Sequence, residues 1–428
     1  MNRMPAVIAD DLTGAADAGL QFFAAGLRTR VCIQAGAEDT RDADVIVVNT
    51  CSRNMRPGEA AESAARAADS VKHGGAYPFF KKVDSTLRGH IGAELDAVMD
   101  AAGLAWALLA PAFPEASRSV VGGYVLADGI PAADAAAGSD PVSPLADSYI
   151  PSLVRAGSRR PVLHCSLDDI ASGLLPRRVD AVRKAAGILV CDGVSRSDLA
   201  AAAGEVMRYG GEGLLAGSAG LAREAARLLV PARNQTATLS PPAAADAVIA
   251  VVGSLNPVSR RQAELLIRSG GVPAEATPPM VFAADTRAVK HLAKRCSEAA
   301  ASGKIPVVLS REPEGMRFDL EGRRFGYGRR ETAAAVSRTL AKITALSCAS
   351  FHTPAVIAAG GDTAQAVLEE FGCFSFDIIG EAAPGIPLSV TRGGKFPGGM
   401  IITKAGGFGA PDAYIRAADL LRSFSSKS

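Results

Sequence analysis

Short runs of apolar, mostly β-branched residues alternate with Ala-rich stretches of helical period along most of the chain, the pattern of an α/β protein with mainly parallel sheets. In the first half, strands are predicted at 6–9, 30–33, 44–48, 78–82, 105–110 and 187–191, with helical runs such as 59–71 and 91–102 between them. In the second half, 247–252, 305–309, 355–359 and 400–403 have the same character. Between the halves, from Pro231 to Asp246, the periodicity stops and Pro, Thr, Ala and Asn accumulate. This predicts one domain over 1–230, a linker over 231–246 and a second domain over 247–428. A second irregular stretch, 128–151, is rich in Pro, Gly, Ser and Asp and is expected to be a long loop within the first domain.

Composition narrows the function classes. The chain has 428 residues, 48% of them apolar, enough to bury a large core. Lys and Arg total 46 against 44 Asp and Glu, with no long basic run to neutralise a phosphate backbone, so nucleic acid is not an expected partner. The uncharged stretch between Asp100 and Glu115 is broken by Pro111 and falls short of the ~20 apolar residues of a membrane span. Asp10 and Asp11 come too early for a secretory signal, so the chain is expected in the cytoplasm. Seven dispersed cysteines form no C-x-x-C pair and lack histidines at zinc-ligand spacing, which favours buried, reduced thiols. No metal ligands are assigned from sequence. The G-x-x-x-x-G-K-[ST] motif of Walker-type NTPases is absent, and the Gly217–Gly220 run lacks the spacing of a nucleophile elbow.

Several strand ends carry chemistry. Asp10-Asp11-Leu12-Thr13-Gly14 follows the first predicted strand, where ligands of open α/β sheets gather. One such residue suffices to cap a helix, so the second carboxylate points to binding. Lys82-Val83-Asp84-Ser85-Thr86-Leu87-Arg88 combines cations, a carboxylate and hydroxyls that suit a small hydroxy acid, and Arg53 follows a neighbouring strand. The second half carries three glycine-bearing strand ends, Gly253-Ser254, Gly360-Gly361-Asp362-Thr363 and Lys404-Ala405-Gly406-Gly407, which together suggest a polyphosphate cradle. Asp362 is placed to act as a base or to hold magnesium through water.

The blocks IADDLTGAADAG, KKVDSTLRGHIGAEL, APAFPEASRSVVGGYVL, GSAGLA, VVGSLNPVSRRQ, AGGDTAQAVL and KFPGGMIITKAGGFGAPDA together resemble the four-carbon acid sugar kinases, across nearly the whole chain. The resemblance implies two α/β domains, an acid-sugar-binding one followed by a nucleotide-binding one, with the active site in the cleft between them. It also implies transfer of the γ-phosphate of ATP, with Mg2+, to the terminal hydroxyl of a tetronate. Carried over by position, Asp11, Arg53, Lys82, Val83, Asp84 and Ser85 fall on the substrate side. Ser254, Gly360 to Thr363 and Lys404 to Gly407 fall on the nucleotide side. Leu12 and the KKVDSTLRG block resemble threonate-type members, which ranks D-threonate ahead of 3-oxo-tetronates and erythronate.

On that basis Arg53, Lys82 and Arg88 are expected to hold the substrate carboxylate, and Lys404 to neutralise charge on the transferred group. Asp362 and Asp84 are the candidate bases, with Asp11 also placeable in that role. The partners implied are a small acid sugar and ATP, and a homo-oligomer is compatible with the Ala-rich helices. A non-catalytic acid-sugar sensor is the rival from another class, and it has no use for three glycine loops.

Overall fold

A computed structural model of the chain describes residues 3–36, 40–138, 140, 142–230, 244–283 and 285–424. The chain divides into two compact units, 1–237 and 238–428. Of the predicted linker, only 244–246 belongs to the described residues.

The first unit contains strands β1 (Met4–Ala9), β2 (Thr29–Cys32), β3 (Val45–Asn49), β4 (Ala76–Lys82), β5 (Trp106–Ala110), β6 (Arg118–Val121), β7 (Tyr124–Ala127), β8 (Ile130–Pro131), β9 (Val162–Cys165), β10 (Ile188–Cys191) and β11 (Gly213–Gly217). Its helices are α1 (Leu12–Ala24), α2 (Pro57–His73), α3 (Ile91–Ala102), α4 (Ile150–Arg155), α5 (Leu167–Ala171), α6 (Leu175–Ala185), α7 (Arg196–Met207) and α8 (Ala219–Leu229). The main sheet runs β2-β3-β1-β4-β11-β5-β10-β9 with every pairing parallel. Helices cover both faces of such a sheet, which is why β3, Val-Ile-Val-Val-Asn, is buried at every position rather than at alternate ones. β6, β7 and β8 form a separate antiparallel sheet. The irregular stretch predicted at 128–151 holds β8 and a short 3-10 turn at Ala132–Asp134 before α4 begins.

The chain steps from β1 outward to β2, returns to β3, and then crosses to β4 on the other side of β1. The order therefore reverses between β1 and β4, and the crevice at the carboxyl ends of those strands is the place where such sheets bind ligands.

The second unit contains β12 (Ala247–Val252), β13 (Val272–Ala276), β14 (Pro306–Ser310), β15 (Pro354–Ala359), β16 (Ser375–Ala383), β17 (Ile386–Arg392) and β18 (Met400–Lys404). Its helices are α9 (Pro257–Arg268), α10 (Pro278–Phe282), α11 (Thr286–Ala301), α12 (Phe318–Arg324), α13 (Arg329–Cys348), α14 (Gly361–Glu370) and α15 (Ala413–Ser423). Strands β13-β14-β12-β15-β18 are parallel, and β17 and β16 add an antiparallel edge. The reversal of order here falls between β12 and β15. One face of this sheet packs Val248, Ala250, Val252, Ile357 and Ile402 against Ala263 and Leu266 of α9 and Tyr414 and Leu421 of α15.

None of the seven cysteines is in a disulfide; Cys51 is exposed and the others are buried. Among the described residues no helix is long and apolar enough to cross a membrane.

Candidate functional site

In the first unit the switch point gathers the residues that follow β1, β3 and β4. Asp11 ends the extended chain and caps α1, accepting from the Gly14 N–H at 2.9 Å and from the Thr13 hydroxyl at 2.6 Å. Arg53 lies across both acidic residues. Its Nε donates to Asp10 at 2.8 Å, and its Nη2 donates to Asp10 at 3.0 Å and to Asp11 at 2.6 Å. Asp84 is 3.9 Å from the same guanidinium and accepts from Arg88 Nε at 2.7 Å and from the Thr86 hydroxyl at 2.5 Å. Arg88 reaches on to Asp140 at 2.8 Å, which brings the irregular stretch into the cluster.

Charge balance sets the ionisation of this group. Burial alone would raise the carboxyl of Asp10, but Arg53, with Lys81 and Lys82 behind it, holds it below its ordinary value. Burial would also raise Asp84, yet Arg88 and Arg53 hold it well below the usual carboxylate range. Asp84 in turn pushes Arg88 up, against burial. Asp84 is thus firmly ionised and already an acceptor for two side chains, which makes it a better clamp for cations than a proton acceptor.

Lys82 differs from its neighbours. It is 4% exposed, its Nζ donates to the Val83 carbonyl at 2.8 Å, and no carboxylate of a described residue lies within ion-pair reach. A Cβ on Gly14 would stand 3.1 Å from that ammonium and 3.7 Å from Arg53 Nη2, so Lys82 and Arg53 face the same small space. Lys81, one residue earlier and on the opposite face, is neutralised instead by Glu94 of α3 at 2.7 Å, with Ser52 donating to the same oxygen at 3.0 Å. Val83 serves through its backbone, its N–H donating to the Gly217 carbonyl at 2.9 Å. Ser85 is half-buried at the rim.

In the second unit the carboxyl ends of β12, β15 and β18 stand side by side and their loops interlock. The Ser254 N–H donates to the Ala359 carbonyl at 3.2 Å, and the Gly360 N–H donates to the Lys404 carbonyl at 2.9 Å. Gly360 has φ +102°, a conformation that favours glycine, and it caps α14 without offering a side-chain acceptor. No side-chain cap therefore closes the start of α14, at Gly361 and Thr363, which suits an anion. A Cβ on Gly406 would collide with the Ser254 hydroxyl, so glycine is what allows the β18 loop to approach. Ser259 of α9 ties that loop down, donating to the Gly406 carbonyl at 2.8 Å. Asp362 is exposed, and Ala405 and Gly407 complete the β18 loop.

Lys404 is 1% exposed and does not reach outward. Its ammonium donates to the carbonyls of Ala405 at 2.9 Å, Gly406 at 3.2 Å and Phe408 at 2.8 Å, and it lies 5.5 Å from the centre of the Tyr414 ring. Burial pushes it down to about 7. Among the described residues no group of three His, Cys, Asp or Glu side chains is placed to hold a metal ion.

Of the residues expected from sequence, the structure brings together Asp11, Arg53, Lys82, Asp84 and Arg88 in one unit and Ser254, Gly360, Thr363, Lys404 and Gly406 in the other. The Lys81–Glu94 pair and Asp140 were not expected. Glu94 has an i to i+3 relation to Ile91 and reads as an ordinary helix carboxylate, while Asp140 gave no signal.

Comparison with known proteins bears on both units. A family model described as a sugar-binding N-terminal domain matches residues 5–225, and one described as a nucleotide-binding C-terminal domain matches 249–414. A D-threonate kinase of Bordetella bronchiseptica is 32% identical over 97% of this chain and 97% of its own. A 3-oxo-tetronate kinase of Methylobacterium radiotolerans is 28% identical over 97% of this chain and 98% of its own. A crystal structure of a Haemophilus influenzae protein shares the fold, with a TM-score of 0.72 at 24% identity over 97% of this chain and 100% of that one. Matched in both halves and over nearly its whole length, the chain belongs to the four-carbon acid sugar kinase family, a family of ATP-dependent carbohydrate kinases.

Proposed function

We propose that the protein transfers the γ-phosphate of ATP to the terminal hydroxyl of a four-carbon acid sugar, D-threonate in preference to 3-oxo-tetronate or erythronate. The observation that carries the acid-sugar half of this reading is Lys82. A buried ammonium is costly unless it is paired and hydrogen-bonded, and Lys82 has one carbonyl and spare donors beside Arg53. A substrate carboxylate is the partner it lacks. The Asp10–Asp11–Asp84 carboxylates around it are acceptors for the hydroxyls of the same molecule. D-threonate is placed first because the Bordetella relative so named is the more similar of the two compared and because of the KKVDSTLRG block.

In the transfer, the terminal hydroxyl oxygen forms a bond to the γ-phosphorus, the bond to the bridging oxygen of ADP breaks, and the hydroxyl proton leaves. Phosphoryl transfer asks the protein mainly for position and charge neutralisation. The glycine cradle and the first turn of α14 hold phosphate oxygens, Asp84 fixes the guanidiniums of Arg88 and Arg53, and Asp362 takes the proton. Magnesium, bound with ATP, would supply charge neutralisation, with Asp362 the carboxylate that would hold it through water.

The Lys82→Met variant tests this. Its KM for D-threonate should rise at least tenfold while the KM for ATP stays within about twofold, because a close cation–carboxylate pair is worth more than about 1.4 kcal/mol. An unchanged KM for the acid would remove Lys82 from the substrate site.

A further inference from the structure

Position in the sequence makes Lys404 the obvious cation for the nucleotide, but its geometry gives it other work. Every hydrogen bond of its ammonium is to a carbonyl of its own loop, at Ala405, Gly406 and Phe408, so the charge closes the loop on itself. A cation aimed at a phosphate must come from elsewhere on the same sheet edge.

Arg260 meets that need. It lies on α9, one residue after Ser259, which ties down the β18 loop. Its side chain crosses to the end of β14, where Nη1 donates to the Ser310 carbonyl at 2.9 Å and Nη2 donates to the Ser310 hydroxyl at 2.8 Å. β14 pairs with β12 in a register that sets Val252 opposite Leu309, so Ser310 comes beside Gly253, the first glycine of the cradle. The half-buried guanidinium has no carboxylate of a described residue within ion-pair reach. Arg311, the residue after Ser310, shows the contrast, since it is neutralised by Glu275 at 2.6 Å. Two N–H groups of Arg260 are spent on Ser310, which fixes the plane of the fork, and the rest make no hydrogen bond with a described residue, Glu312 lying near but beyond ion-pair distance.

We propose that Arg260, and not Lys404, is the cation that contacts the polyphosphate of the nucleotide, and that Ser310 is the positioning residue that aims it. Lys404 then shapes the loop whose backbone lines the cradle. A guanidinium suits this place because it presents several donors in a rigid plane to phosphate oxygens and stays charged when buried. The inference rests on the kinase reading of the second unit and names the side chain that reading leaves open.

Calorimetric titration of the full chain with ATP, ADP and AMP, in the presence of magnesium, separates the possibilities. Arg260→Met should lose tenfold or more in affinity for ATP and ADP and clearly less for AMP, with Arg260→Lys recovering part of the loss and the melting temperature little changed. Ser310→Ala should weaken ATP binding by a smaller factor, since it removes the tether and keeps the charge. Wild-type binding of ATP with Arg260→Met within twofold of it would overturn the assignment of Arg260 alone, as would an equal loss for all three nucleotides. Failure of the wild type to bind any of them would remove the nucleotide reading of the unit and this inference together.

Discussion

Lys404 illustrates how burial, rather than charge type, decides what a residue can do. A lysine at the end of a strand, followed by Ala-Gly-Gly, invites a phosphate-binding role. Its ammonium is nevertheless enclosed, and burial pulls it down to about 7 against the carbonyls that favour the charged form. Because the folded value lies below the ordinary 10.5, the unfolded chain binds the extra proton across the interval between them. Folding stability from this group therefore rises as pH increases from about 7 toward 10, and is lost again as pH falls back over that interval toward 7. The melting temperature of the wild type relative to Lys404→Met should accordingly shift in favour of the wild type between pH 7 and pH 9. A difference that stays constant over that interval would show that Lys404 is not held at a lowered value. Asp84 is the converse case, a carboxylate that sequence alone offers as a base but whose two arginine neighbours keep it ionised and occupied.

At the scale of elements, the most informative contact is the one that joins β4 to α3. Lys81 and Glu94 are 1% exposed each and meet at 2.7 Å, with Ser52 completing the acceptor at 3.0 Å. Removing one partner of such a pair strands a buried charge, whereas replacing both by apolar groups of similar volume is often close to neutral. Lys81→Met should thus destabilise the protein by about 3–5 kcal/mol in denaturant unfolding, and Lys81→Met with Glu94→Met by markedly less. Equal losses for the single and the double variant would contradict the pairing. The strands that sequence makes legible are those with unbroken β-branched runs, such as β1, β3, β12 and β15, all matched to within about two residues of their ends. Some of those it hides carry breakers: β17 has Pro387 near its start, β16 shifts register beside Gly380, and β13 contains Pro273 and Glu275. In the site, Asp11, Arg53, Lys82, Asp84 and Arg88 are legible because each ends or closely follows a predicted strand. The Arg88–Asp140 and Arg260–Ser310 contacts span 52 and 50 positions, and no local pattern announces a pairing at that distance.

For the molecule as a whole, each unit places its polar cluster where its own strand order reverses. One cluster is rich in cations and carboxylates and suits a small hydroxy acid, and the other is built of glycine loops and a helix start and suits phosphates. A sensor of acid sugars would need the first and have no use for the second. A carboxylate-activating ligase would use both but would place phosphate on the carboxyl group, which in the proposed reading the Lys82–Arg53 space holds rather than exposes. What separates these activities is which oxygen of which acid receives the phosphate. The direct measurement is ADP release from ATP and magnesium with D-threonate, L-threonate, D- and L-erythronate and their 3-oxo derivatives, followed by phosphorus NMR of the product. D-threonate should give the highest kcat/KM, with one ADP formed per phosphate monoester at the terminal carbon. An acyl phosphate on the carboxyl group, or no ADP release with any of these acids while ATP is bound, would contradict it.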